Sequence, residues 1–135
     1  MKRFVALMGM VALLALAACS DHRPASQEGP VFHSISPREA DRMMRERPDL
    51  ALIDLREPQE LFEGSIPGSQ LVPLRELVQG RLSLPDDRPL LLICAVGGRS
   101  YAVGQYFSRK GYPEIYNLGG GIAAWKQAGL PLERR

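Results

Sequence analysis

Cysteine and histidine are scarce in this chain of 135 residues, which has two of each. The cysteines are Cys19 and Cys94, and no Cys-x-x-Cys pair occurs, which argues against a dithiol redox enzyme. The histidines, His22 and His33, both lie near the N-terminus. Because no histidines and cysteines cluster at metal-ligand spacing, the sequence predicts neither a metal site nor a cofactor.

A surplus of charge of either sign is also missing. The formal net charge is +2, and without Lys2 and Arg3 the 17 basic residues fall to 15, equal to the 15 acidic ones. The basic side chains are scattered and form no stripe, so nothing supports binding to nucleic acid. The length suits one domain of ordinary size.

A long transmembrane run is missing too. The apolar segment 4–18 follows two basic residues but is shorter than the roughly 20 apolar residues that a spanning helix needs. This pattern is typical of a signal peptide, and Leu16-Ala17-Ala18-Cys19 resembles the lipobox of bacterial lipoproteins. The resemblance implies that residues 1–18 are a signal peptide and that Cys19 becomes the lipidated first residue. The alternative is an ordinary secretory peptide cut nearby, with Cys19 incidental.

A lipid on Cys19 would tether the protein to the bacterial cell envelope, facing the periplasm. Ser20 after the lipidated residue favours the outer membrane over the inner one. Residues 19–30 are polar with proline and glycine and are expected to form the lipidated N-terminus and a flexible linker. Residues 31–135 then form the folded domain, in which Cys94 has no cysteine partner.

Apolar runs alternate with helical patterns along the domain. Strands are predicted at Val31–Ile35, Leu50–Leu55, Leu71–Val72, Leu90–Cys94 and Ile115–Leu118. Helices are predicted after the capping signal Ser36-Pro37-Arg38-Glu39, over Pro58–Glu63, Arg75–Leu82 and Arg99–Lys110, and around Trp125, which we expect in the core. This alternation predicts an α/β fold, an open, mostly parallel five-stranded sheet with helices on both faces. Sites in such sheets form at the carboxyl ends of strands, where Cys94 lies.

The loop after Cys94 carries the chemistry. Gly97 and Gly98 allow backbone conformations closed to other residues, and the N–H groups of Ala95–Ser100 can point inward as an anion nest. The following helix start and Arg99 add positive charge. These features predict a reactive thiolate on Cys94, and the alternative is a buried, inert cysteine that ends a strand.

Cys94-x-x-Gly97-x-Arg99-Ser100 resembles the active-site loop of the single-domain rhodaneses, a family of sulfurtransferases. Three further segments resemble the family's in order and spacing, namely Asp54–Glu57 with Glu60 and Phe62, Gly64–Ser69, and Asn117–Gly121 with Trp125. One departure is Ser65, where the family usually has histidine. We expect altered hydrogen bonding at Ser65 rather than lost chemistry.

The resemblance implies a rhodanese-like fold and a double displacement without a cofactor. The Cys94 thiolate would take the outer sulfur of a small donor such as thiosulfate, hold it as a persulfide, and pass it to cyanide or a thiol. The loop Ala95, Val96, Gly97, Gly98, Arg99 and Ser100 would bind substrate, with Arg99 orienting the anionic donor. Ser100 would either donate a hydrogen bond to the thiolate or cap the helix.

Two polar residues lie at the end of another predicted strand, Leu50–Leu55, with Asp54 near its end and Arg56 just after it. Asp54 is predicted to accept hydrogen bonds from loop N–H groups. Arg56 is a candidate for binding substrate, and the alternative is an ion pair with Glu57 or Glu60 at the surface.

Two other functions compete with sulfur transfer. Protein tyrosine phosphatases also place a cysteine and an arginine around an anion nest, with one more residue between them than the four seen here. The tighter ring suits a sulfur atom better than a phosphate, so we expect negligible phosphatase activity. The alternative to an enzyme is a membrane-tethered sulfur carrier or binding module without independent turnover. Catalytic formation of thiocyanate from thiosulfate and cyanide would distinguish the two.

Overall fold

The computed structural model describes residues 30–134. The predicted signal peptide, the lipidation of Cys19 and nearly all of the linker lie outside these residues. In chain order the elements are β1 Val31–Ile35, α1 Pro37–Glu46, β2 Ala51–Asp54, a 3-10 turn Pro58–Glu63, β3 Gln70–Leu71, α2 Leu74–Val78, β4 Leu90–Ile93, α3 Gly98–Arg109, β5 Glu114–Leu118 and α4 Gly121–Gln127. Within the described range, every helix is too short or too polar to cross a membrane.

The five strands form one sheet in the order β1-β5-β4-β2-β3, and each neighbouring pair is parallel. The strand β4 lies at the centre, and all four of its residues are buried. This is the position that a continuous apolar run favours, because helices cover both faces of a parallel sheet. The predicted five-stranded α/β sheet is confirmed, and its described strands are wholly rather than mostly parallel.

Alternate residues of β4 face two separate cores. Leu91 and Ile93 belong to a cluster that includes Ala40 of α1 and Trp125 of α4. Leu90 and Leu92 belong to the other cluster, completed by apolar residues of α2 and α3 such as Leu77, Val103 and Phe107. The period of two along a strand therefore places helices on both faces, as predicted. The expectation that Trp125 lies in the core is confirmed, since it is fully buried.

Some element boundaries differ from those predicted. The helix α2 stops at Val78, well short of the predicted Leu82, because the chain turns at Gly80, whose φ is +70°. The strand β3 lies one residue earlier than expected, at Gln70–Leu71. The capping signal after β1 is as predicted: Ser36 Oγ accepts from the N–H of Glu39 at 3.3 Å, and a Glu39 carboxylate oxygen accepts from the N–H of Ser36 at 3.2 Å.

Ser65 is completely buried, and its Oγ is the one buried side-chain polar atom in residues 30–134 that has no hydrogen-bond partner. Its backbone is well satisfied, because Ser65 and Glu133 exchange two N–H···O bonds of 2.9 Å. We expect Ser65→Ala to raise the free energy of unfolding by about 1 kcal/mol, because alanine removes the unpaired hydroxyl without opening a large void. Urea unfolding measures this change. Ser100→Ala is the control, since that buried hydroxyl is hydrogen-bonded and its loss should lower stability; a destabilised Ser65→Ala would contradict the prediction.

Candidate active site

Three neighbouring strands bring the predicted site residues to one edge of the sheet. Asp54 ends β2 and is paired with Ile93 of β4, so Cys94 follows directly beside it. On the other side of β4, Leu92 is paired with Asn117 of β5. The carboxyl ends of these parallel strands therefore surround Cys94, as expected for a site in such a sheet.

The loop after β4 folds around the sulfur of Cys94. The Sγ atom accepts hydrogen bonds from the backbone N–H of Gly97 at 3.1 Å and the backbone N–H of Ser100 at 3.4 Å, and the Ser100 hydroxyl lies 3.2 Å away, within reach to donate to the sulfur. Gly97 has a φ of +89°, and a Cβ there would lie 2.9 Å from the backbone nitrogen of Gly120. Glycine is thus required at this position for the chain to wrap the sulfur.

The hydrogen bonds around Cys94 favour its thiolate form. Burial by itself would raise the pKa of the Cys94 thiol, because charge is costly away from water. The Ser100 hydroxyl and the N–H groups of Ser100, Gly97 and Val96 outweigh burial, and the pKa lies below its ordinary value. A thiol that loses its proton more easily is a better nucleophile near neutral pH.

Ser100 is not the helix cap. Gly97 is the N-cap of α3, and Ser100 lies in the first turn with its side chain directed towards Cys94. The capping alternative for Ser100 is therefore wrong, and the alternative of a hydrogen bond to the sulfur agrees with the structure.

Replacing Ser100 by alanine is expected to raise the pKa of Cys94 by about one unit, because one hydrogen bond to the thiolate is lost. The rate of alkylation by iodoacetamide, which rises as the thiol ionises, measures this pKa across a pH series. In the wild type the midpoint should fall below the ordinary cysteine value of about 8.5. An unchanged midpoint in Ser100→Ala would contradict this role of the hydroxyl.

Arg99 is held beside the loop by Glu60 of the 3-10 turn. Its two terminal nitrogens donate to the two carboxylate oxygens of Glu60 at 2.8 and 2.5 Å. The Arg99 hydrogen bonds are the largest influence on Glu60 and lower its pKa to about 2. The pKa of Arg99 is raised, first by Glu60 and to a smaller extent by the nearby Cys94. Sequence reasoning missed this pair and offered Arg56 as a partner of Glu60 instead.

Arg56 lies in a buried ion pair with Asp54 rather than at the surface, so the alternative of a surface pair is wrong. Its guanidinium donates to the Asp54 carboxylate at 2.7 Å and to the carbonyl oxygens of Gly64 at 2.9 Å and Glu60 at 3.3 Å. Asp54 also accepts a hydrogen bond from the backbone N–H of Arg56 at 3.1 Å. This agrees with the prediction that Asp54 accepts from a loop N–H group. Arg56 borders a cavity of about 180 Å³ with Ala95, and its contact with substrate stays a prediction.

Asn117 joins the site from β5, and sequence reasoning named it only within the segment Asn117–Gly121, without a role in the site. Its amide oxygen accepts from the Ser100 hydroxyl at 2.6 Å, and its amide nitrogen donates to Ser34 Oγ of β1 at 2.9 Å. Its sequence signal was only a polar residue within an otherwise apolar strand. Residues 30–134 contain no group of three or more His, Cys, Asp or Glu placed to hold a metal ion.

Comparison with known proteins gives a consistent result. Residues 36–128 match the family model for the rhodanese-like domain. The chain is 40% identical over 85 residues to a sulfurtransferase of Allochromatium vinosum, which covers 62% of the chain and 78% of that protein. It is 31% identical over 94 residues to a thiosulfate sulfurtransferase of Vibrio cholerae, covering 70% of the chain and 89% of that protein. The crystal structure of a rhodanese-related protein from Thermoplasma volcanium is similar at a TM-score of 0.67 and 31% identity, over 76% of this chain and 99% of that one.

Proposed function

Because this chain belongs to the rhodanese-like family, we propose that it is a sulfurtransferase that moves sulfane sulfur from thiosulfate to cyanide or a thiol acceptor. The observation that carries this proposal is the nest around Cys94, whose buried Sγ accepts hydrogen bonds from Gly97 and Ser100. The nest stabilises negative charge on sulfur before and after a sulfur atom is added. The names of two relatives, both sulfurtransferases, support the same reaction.

In the first half-reaction, the Cys94 thiolate attacks the outer sulfur of thiosulfate. A bond forms between Sγ and that outer sulfur while the sulfur–sulfur bond of thiosulfate breaks, and its electron pair leaves with sulfite. The products are a persulfide anion on Cys94 and sulfite, so charge is conserved and no external oxidant is used. Arg99 lies beside the loop and would orient the dianionic donor, although Glu60 offsets part of its charge.

In the second half-reaction, cyanide or a thiolate attacks the outer sulfur of the persulfide. A new bond to that sulfur forms, the sulfur–sulfur bond breaks, and the electron pair returns to Sγ of Cys94. The products are thiocyanate, or a persulfide of the acceptor, and the original thiolate. The nest receives the same anion that it held at the start, so each covalent step begins and ends with a stabilised charge.

Intact-mass analysis after thiosulfate treatment tests the persulfide. We expect the wild type to gain one sulfur atom and Cys94→Ala to gain none. Cys19→Ser is the matched control, because it removes the other cysteine of the chain and should still gain the sulfur. The proposal fails if the wild type gains no sulfur, or if the alanine variant gains one too. A carrier without turnover would load Cys94 once and then release no thiocyanate catalytically when cyanide is added.

We also propose that Cys19 carries a lipid that tethers the domain to the bacterial cell envelope on its periplasmic side, with the outer membrane favoured. The support is the order of basic start, apolar run and small residues before Cys19. Metabolic labelling with an alkyne fatty acid should mark the wild type and Cys94→Ser but not Cys19→Ser. Labelling that survives in Cys19→Ser would refute the lipid anchor.

A further inference from the structure

A chain of hydrogen bonds runs from the buried sulfur of Cys94 to the surface of the sheet. Cys94 Sγ lies 3.2 Å from Ser100 Oγ, which lies 2.6 Å from the amide oxygen of Asn117. The amide nitrogen of Asn117 lies 2.9 Å from Ser34 Oγ on β1. Asn117 is 3% exposed and Ser34 is exposed, so this relay of four side chains links the site to solvent.

The Ser100 hydroxyl has one proton but three acceptors within hydrogen-bond distance. Its Oγ lies 3.2 Å from Cys94 Sγ, 3.3 Å from the carbonyl oxygen of Gly97 and 2.6 Å from the amide oxygen of Asn117. A single hydroxyl proton cannot serve all three. In the orientation seen here the nearest acceptor is Asn117, whose nitrogen is directed to Ser34.

This orientation of the relay suits a protonated Cys94. Its S–H can donate to Ser100 Oγ, the Ser100 O–H donates to the Asn117 oxygen, and the Asn117 N–H donates to Ser34. Each hydrogen bond then has one donor and one acceptor.

The reverse orientation suits the Cys94 thiolate. The Ser100 O–H donates to Sγ, the Asn117 N–H donates to Ser100 Oγ, and the Ser34 O–H donates to the Asn117 oxygen. Only a half-turn of the Asn117 amide separates the two orientations, and the amide nitrogen and oxygen are of similar size. Without that turn, the Ser100 and Asn117 oxygens would face each other without a proton between them at 2.6 Å.

We propose that Asn117 is a positioning residue whose side-chain amide turns over as Cys94 changes between thiol and thiolate, so that the Ser100 hydroxyl stabilises the thiolate only after the turn. The role in turnover rests on the proposed sulfurtransferase function, because the first half-reaction begins from the Cys94 thiolate. The effect on thiol ionisation does not depend on sulfur transfer.

The charged groups around the Cys94 loop come from several elements. α3 contributes Arg99, the 3-10 turn contributes Glu60 and Glu63, and the end of β2 contributes Asp54 with Arg56 just after it. The start of α4 faces the loop through backbone N–H groups, with Ile122 donating to the carbonyl oxygen of Cys94 at 2.9 Å. These groups are unchanged in the variants below, so they form a constant background.

Two substitutions of Asn117 should move the pKa of Cys94 in opposite directions. Asn117→Asp provides only acceptors, holds the Ser100 proton away from sulfur and should raise the pKa by about one unit. Asn117→Leu removes the nearest competing acceptor, leaves Sγ at 3.2 Å and the Gly97 carbonyl oxygen at 3.3 Å as the remaining acceptors of the hydroxyl, and should lower the pKa of Cys94. The pH profile of iodoacetamide alkylation measures both, with thermal unfolding to confirm that each variant folds.

The control is the same pair of substitutions in a Ser100→Ala background. Because Asn117 is proposed to act through the Ser100 hydroxyl, the difference between Asp and Leu should then largely disappear. A difference that persists in full would mean that the added charge acts directly on Cys94, and shifts of the same sign in both variants would also overturn the proposal.

Ser34→Asp keeps the proposal testable if the Asn117 variants do not fold, because Ser34 is exposed. A carboxylate there should hold the Asn117 nitrogen outward and raise the pKa of Cys94, again only when Ser100 is present. No shift would overturn the proposal. Loss of sulfur loading in the mass experiment, with these pKa shifts intact, would instead refute the sulfurtransferase function alone.

Discussion

Cys94→Ser is expected to lower the rate of thiocyanate formation from thiosulfate and cyanide by at least about a thousand-fold, the scale seen when a covalent nucleophile is removed. Serine keeps nearly the same shape, and its oxygen can still accept from Gly97 and Ser100. Its hydroxyl stays protonated near neutral pH and cannot form a persulfide. Steady-state thiocyanate production measures the loss.

Two comparisons make this result specific to Cys94. Cys19→Ser should keep the wild-type rate, because Cys19 lies outside the proposed machinery. Cys94→Ser should unfold at nearly the wild-type temperature, since one sulfur is exchanged for one oxygen in the same nest. A residual rate close to that of the wild type would show that another group carries the sulfur and would refute the mechanism.

The parts of this fold that sequence reasoning predicted are those with local causes. The buried position of β4 follows from an unbroken apolar run. The path of the loop around Cys94 follows from Gly97, because glycine adopts a φ of +89° without strain. The end of α2 was misplaced because the predicted helix ran through Gly80, where the chain turns with a φ of +70°.

The contacts that sequence reasoning missed join residues far apart in the chain. Arg99 meets Glu60 across 39 positions, and Asn117 meets Ser34 across 83. The packing of the 3-10 turn against the loop decides which acidic residue each arginine contacts. No local sequence pattern encodes that packing. Sequence reasoning offered Glu60 as a partner for Arg56, and only the packing assigns Arg56 to Asp54 and Arg99 to Glu60.

Arg56→Met is expected to lower the free energy of unfolding by about 3–5 kcal/mol, a large share of the total stability of a small domain. Asp54 is 0% and Arg56 1% exposed, so the variant leaves a buried carboxylate without its ion pair. Urea unfolding measures the loss. Arg81→Met is the matched control, because the side chains of the Arg81–Glu76 pair are 55% and 33% exposed and its loss should leave stability nearly unchanged.

The Arg56→Met substitution should also weaken the positioning of Arg99 in the active site. Arg56 donates to the carbonyl oxygens of Glu60 and Gly64. These two hydrogen bonds hold both ends of the segment 60–64 in place. Glu60 in turn holds Arg99 beside Cys94, so the Arg56→Met variant that remains folded should lose part of its affinity for thiosulfate. A stability loss no larger than that of Arg81→Met would show that the buried pair does not hold this segment. A large stability loss with an unchanged KM for thiosulfate would show that Arg56 stabilises the fold but is not needed to position Arg99.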